Sequence, residues 1–234
     1  MAELILALDL PDRDAALELL DRLPALRWVK VGSRLMTAEG PALVREVVTR
    51  GLSVFLDLKW HDIPNTVQEA VASARGLGVR MVTVHTLGGP AMLRAAAEAA
   101  GDELAVVGVT VLTSHDEGEY AATLGRPAVR LLDEAARLAR SAVSAGLAGV
   151  VCSPLEIERI RTGLGPDALI IVPGIRRSAD AAFDQRRTAT PAEAVRQGAT
   201  HLVVGRPVLH APDPAAALGE FLAAIELASV PRVP

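Results

Sequence analysis

Eight short apolar runs recur along the chain at fairly regular intervals, separated by stretches with helical spacing. The runs are LILALD (4–9), WVKVG (28–32), SVFLDLK (53–59), RMVTVH (80–85), LAVVGVTVL (104–112), GVVCS (149–153), ALIIVPG (168–174) and HLVVGR (201–206). Most are rich in β-branched residues and several end in Gly, Pro or a polar residue, so they read as strands buried on both faces. The segments between them are helical in pattern: 13–23, 41–51, 66–78, 90–101, 127–146, 155–165, 190–198 and 213–228. Asp12 is placed to cap the first. Pro41 opens the second and Gly51 closes it, the usual helix asymmetry. Strand and helix in alternation form parallel βαβ units. A count of eight favours a single closed (β/α)8 TIM barrel of the α/β class over an open doubly wound sheet. No GxGxxG follows the first run, which argues against a dinucleotide site. Nothing marks a linker, so residues 1–234 read as one domain.

Composition removes several function classes. Aromatic residues make up only 3% of the chain, so the core must come from Ala, Leu, Val and Ile. The net charge is −4 and there is no Lys/Arg block, so no nucleic-acid partner is expected. A small anion stays open, because a few well-placed arginines suffice for one phosphate. Cys152 is the single cysteine, which rules out an internal disulfide and reads as a small core residue. The opening MAELILALDLPDR lacks a basic n-region, and no apolar stretch is long enough to span a bilayer. The expectation is a cytoplasmic protein with no membrane partner.

Two connections are longer than the rest. Residues 113–126 have room for a short extra helix. Residues 174–189 carry Arg176, Arg177, Arg186 and Arg187 with no strong element, a pattern common in functional lids.

In a barrel of this kind, chemistry gathers at the C-terminal ends of the strands. Those positions hold Asp9, Lys30, Asp57, Lys59, His85, Thr113, Ser114, Ser153, Arg176, Gly205 and Arg206, with Asp62 just beyond the third run. Asp57 and Lys59 are two apart, so they share the inner face of their strand while Leu56 and Leu58 face the helices. Lys30 on the neighbouring strand reaches the same region. Two Lys and two Asp, with Asp62 included, sum to zero charge, and such an array is tolerated in a core where a lone charge is not. It could be a neutral ion-pair network that closes the barrel. A metal site on Asp57, His61 and Asp62 is another reading, opposed by the two nearby lysines. On the far side, Gly205 and Arg206 end the eighth run, where many such barrels bind phosphate. Gly205 lets a backbone N–H approach an anion, and Arg206 can clamp it. His201 and His210 read as structural or exposed, and His115 is uninformative. No Ser-His-Asp order supports covalent catalysis.

DLKWHDIPNTV at 57–67 resembles the signature of the orotidine 5'-phosphate decarboxylase family. ALD at 7–9, VKVG at 29–32, LTS at 112–114, PGIR at 173–176, Gln185 and VVGRP at 203–207 match in the same order, so the resemblance covers essentially the whole chain. It implies a homodimeric (β/α)8 barrel that needs no cofactor and no metal and converts orotidine 5'-monophosphate to UMP and CO2. Carried over, Lys59 is the proton donor within a charged group of Lys30, Asp57, Lys59 and Asp62. Asp57 faces the substrate carboxylate. Asp62 and Thr66 reach the neighbouring subunit's site. Asp9 and Lys30 hold the ribose, and Thr113, with Ser114 beside it, lies near the pyrimidine. Arg176, Gln185, Gly205 and Arg206 serve the phosphate end. Mg-dependent sugar-phosphate decarboxylases and synthases of related barrels share DxKxxD. By resemblance they carry an acid where this chain has Lys30.

Overall fold

Parallel strands covered on both faces need apolar residues at nearly every position, and the eight runs supply them. The structure, a computed structural model, describes residues 2–177 and 188–229. Its strands are β1 (Glu3–Ala7), β2 (Trp28–Gly32), β3 (Ser53–Trp60), β4 (Met81–His85), β5 (Ala105–Val109), β6 (Gly149–Val151), β7 (Leu169–Val172) and β8 (His201–Val204). They pair in chain order, all parallel, and β8 closes on β1 through the Glu3–His201 to Leu6–Val204 pairs. The helices are α1 (Arg13–Asp21), α2 (Ser33–Thr49), α3 (Pro64–Arg75), α4 (Gly89–Ala100), α5 (Glu117–Thr123), α6 (Leu131–Ser144), α7 (Ile157–Leu164), α8 (Pro191–Arg196), α9 (Arg206–Leu209) and α10 (Pro214–Ser229). This is the (β/α)8 barrel that the alternation predicts. No helix among the described residues is long and apolar enough to cross a membrane.

Two boundaries differ from expectation for physical reasons. The fifth run is apolar to Leu112, yet β5 ends at Val109. Val111 and Leu112 line the cavity at the barrel mouth, so their apolarity serves a pocket wall rather than a strand. Thr113 therefore stands on a loop. The helical pattern that starts at Pro41 is only the second half of α2. Residues from Ser33 form an earlier helix, and Gly40, at φ 67°, breaks the two apart. That first half has Gly32 at its N-cap with no side-chain bond to announce it. The short helix expected within 113–126 is α5, opened by a reciprocal capping box of Asp116 and Glu119.

The side chains inside the barrel follow the strand period of two. The interior is filled by residues such as Ile5, Phe55, Met81, Val107, Ile171 and Val203, all less than a tenth exposed. A larger apolar shell between strands and helices surrounds this plug. At the N-terminal end His201 meets Trp28 edge-on, with ring centroids 5.5 Å apart. Toward the other end the inward positions become polar: Asp9 follows Ile5 and Ala7, Lys30 follows Trp28, Asp57 follows Phe55, and Thr83 and His85 follow Met81. One set of strands thus supplies an apolar floor and a charged mouth.

Candidate active site

The charged mouth opens on a cavity of about 250 Å³, walled by the ends of β1–β3 and β5–β8 and the loops that follow them. Its volume is close to the lower end for small-molecule sites, about 300 Å³. Asp57 stands at its centre of charge. Its carboxylate accepts hydrogen bonds from Lys59 Nζ at 2.8 Å to each oxygen, and from Thr83 Oγ1 at 2.9 Å. Lys30 Nζ lies 3.6 Å from the same carboxylate and 3.3 Å from Asp9 Oδ1. Acid and base alternate, Asp9–Lys30–Asp57–Lys59, so each buried charge faces an opposite one. Burial pushes the Asp57 pKa up, but Lys30, Lys59 and the bonds from Lys59 and Thr83 outweigh it, and the carboxyl lies below the ordinary aspartate value. Gly32 makes room for this cluster, since a Cβ there would lie 3.0 Å from Lys30 Nζ.

Lys59 reaches Asp57 from an unusual backbone. It is the only non-glycine among the described residues with positive φ, at 52°. The β3–β4 ladder shifts here: Leu56 pairs with Val82 but Trp60 with Val84, so the four-residue step on β3 spans a two-residue step on β4. The bulge re-aims the side chain, a common device beside functional sites. Lys59 N–H donates to Thr83 Oγ1 at 2.8 Å. His85, next inward on β4, packs its ring 5.7 Å from that of His61. Burial, His61 and Lys59 hold the His85 imidazole below the ordinary histidine pKa, against a smaller pull from Asp57.

The opposite wall carries the arginines. Arg176 is buried and lines the cavity with Gly174, Gly205 and Arg206. Ile175 and Ala189 form a parallel bridge, and Arg176 N–H donates to Ala189 O at 3.0 Å. Arg177 turns away, pairing with Glu220 at 2.7 Å and lying over the Phe221 ring. Thr113 and Cys152 also line the cavity.

The model of the "Orotidine 5'-phosphate decarboxylase / HUMPS family" matches residues 2–221. The chain belongs to this family. Proteins named orotidine 5'-phosphate decarboxylase from Moorella thermoacetica and Opitutus terrae are 47% and 49% identical to it. Each match covers 96% of this chain, with 92% of the first protein and 98% of the second. The crystal structure of orotidine 5'-phosphate decarboxylase from Lactobacillus acidophilus has a similar fold, at TM-score 0.86 and 33% identity over 96% of this chain and 99% of that one.

Set on the structure, the residues that match the orotidine 5'-phosphate decarboxylase pattern divide into three groups. Asp9, Lys30, Asp57, Lys59, Thr113, Arg176, Gly205 and Arg206 all face one cavity. Asp62 and Thr66 do not: they lie exposed on the β3–α3 connection and the first turn of α3, with Asp62 Oδ1 accepting the Ile63 N–H at 2.7 Å. Gln185, with Arg186 and Arg187, lies outside the described residues. Within one chain the fourth charge of the cluster is therefore Asp9, not Asp62. Ser114 is exposed. Thr83 is the residue that sequence reasoning missed. A lone Thr in RMVTVH carries no signal of its own, and only its inward register beside Asp57 could have marked it.

Proposed function

We propose that the chain decarboxylates orotidine 5'-monophosphate to UMP and CO2 without metal or cofactor. The observation that carries this reading is the Lys59 ammonium, held 2.8 Å from both Asp57 oxygens at the charged mouth of the barrel. When CO2 leaves C6 of the pyrimidine, the bonding pair stays on that carbon. No carbonyl is placed to take it up, so the charge must be met directly. A fixed cation does this without reorganising, and more strongly in a preorganised pocket than in water. Lys59 then gives its proton to C6, and solvent returns it. Asp57 faces the departing carboxylate, and their repulsion falls as neutral CO2 forms.

Asp9 and Lys30 hold the ribose hydroxyls. Thr113 borders the pyrimidine. Arg176, Gly205 and Arg206 take the phosphate, a role the family pattern extends to Gln185. Binding energy from that remote group favours the transition state when it holds the reacting carbon against Lys59. The enzyme works as a homodimer in which Asp62 and Thr66 complete the neighbouring site. Their exposure, beside the large exposed side chains Ile63 and Leu87, supports this pairing. Lys30 and Lys59, both within 4 Å of Asp57, occupy the ground a divalent cation would need, which disfavours the Mg-dependent sugar-phosphate enzymes.

The test follows the loss of orotidine 5'-monophosphate absorbance in the presence of EDTA. Wild type turns over. Lys59→Ala falls by at least about 10⁴-fold, because one ammonium supplies both the proton and the balancing charge. No turnover, or turnover restored only by Mg2+, moves the assignment to a metal-dependent enzyme on the same barrel.

A further inference from the structure

We infer that Thr83 is a positioning residue for the reaction, the group that fixes where the Lys59 ammonium stands. This rests on the reading of Lys59 as proton donor and adds a residue to it. Thr83 is fully buried in the middle of β4, facing the barrel interior. Its hydroxyl makes two bonds: it accepts the Lys59 N–H at 2.8 Å and donates to Asp57 Oδ1 at 2.9 Å. Asp57 in turn accepts from Lys59 Nζ at 2.8 Å. The result is a closed ring from the Lys59 backbone through the Thr83 hydroxyl to the Asp57 carboxylate and back to the Lys59 side chain.

Each link is needed because of the one before it. The β3 bulge takes Lys59 out of the regular ladder, and its left-handed backbone is disfavoured for a side chain with a Cβ. Such a conformation persists only where its surroundings over-determine it. The Lys59 N–H, displaced from regular pairing, needs an acceptor, and Thr83 Oγ1 is that acceptor. The hydroxyl has one proton. Once the N–H occupies a lone pair, that proton is directed to Asp57. Thr83 therefore fixes both ends of the Lys59–Asp57 pair. Serine keeps this chemistry. Valine has the same shape without it.

The experiment compares Thr83→Val, Thr83→Ser and wild type by steady-state kinetics with orotidine 5'-monophosphate. It adds amide hydrogen exchange at Lys59 by NMR. In Thr83→Val, kcat falls roughly 10- to 100-fold, as expected for a lost hydrogen bond to a buried charged pair, while KM moves less than about threefold. Thr83→Ser restores kcat to within about threefold of wild type. The Lys59 amide exchanges at least about tenfold faster in the valine variant and at the wild-type rate in the serine variant. A folded Thr83→Val enzyme with wild-type kcat, or a Thr83→Ser enzyme as slow as the valine one, overturns the role. If Thr83→Val does not fold, Thr83→Ala is read by the same criteria. Absence of turnover by wild type would count against the decarboxylase reading, and unchanged Lys59 amide exchange in the valine variant would count against Thr83, so the two failures are separate.

Discussion

Lowering the pH from 7 to 5 should weaken the fold through a residue far from the cavity. His201 opens β8 on the barrel floor, 8% exposed, its Nδ1 2.9 Å from Thr200 Oγ1 and its ring against Trp28. Burial pushes its pKa down from 6.5 to about 4. The unfolded chain regains the ordinary value. Between the two, the unfolded state binds a proton that the folded state refuses, so stability is present above pH 6.5 and drains away as pH falls toward 4. The shift is 6.5 minus 4, and at 1.36 kcal/mol per unit the full loss is about 3 kcal/mol. By the same linkage the loss between pH 7 and pH 5 is about 2 kcal/mol. Asp57 does not enter this window. Its folded pKa is depressed, so its contribution is intact above the ordinary value of 3.8 and is lost only below it. Urea denaturation of wild type and His201→Gln at pH 7 and pH 5 isolates the histidine, because glutamine does not titrate. Wild type should lose about 2 kcal/mol more than the variant over that interval. Equal losses, to within about 0.5 kcal/mol, would show that burial does not hold His201 neutral.

Two further expectations concern backbone fit and ligand charge. A Cβ on Gly149 would lie 2.0 Å from the Leu169 carbonyl oxygen, where no rotamer can relieve it, so Gly149→Ala must part β6 from β7. The cost is at least about 3 kcal/mol, read as a Tm drop of roughly 10 °C, and an unchanged Tm would contradict the fit. Arg206→Ala should lower kcat/KM for orotidine 5'-monophosphate about 10- to 100-fold, yet that for the phosphate-free nucleoside less than threefold. Equal losses on both substrates would place Arg206 away from the phosphate.

The barrel was legible because its strands must be apolar on both faces, and WVKVG could hardly be anything but the buried strand it forms at 28–32. Asp57 and Lys59 could be placed inside from a period of two alone. What that period could not give is the route. Lys59 meets Asp57 through a bulge and a left-handed backbone, which depend on Thr83 a strand away. The segment before Gly40 escaped notice for a different reason. SRLMTAE has no capping side chain, and its helix is held by contacts such as that of the buried Leu35 rather than by any local signal. Asp62 was recognisable by motif, and the resemblance sends it to a neighbouring subunit's site; within this chain it stands exposed, outside the cavity.

The charges at the mouth sum to zero, in a chain whose net charge is −4. A cluster balanced in this way casts little field into solvent, so it neither draws an approaching anion nor repels it. Under the proposed reading that task falls to Arg176 and Arg206 across the barrel, on the β7 and β8 side. On that reading, capture and conversion are electrically insulated from one another. Mobile ions can blunt the long-range pull of the arginines without altering a contact as short as the 2.8 Å between Lys59 and Asp57. The rim can be retuned for affinity while the centre keeps its chemistry.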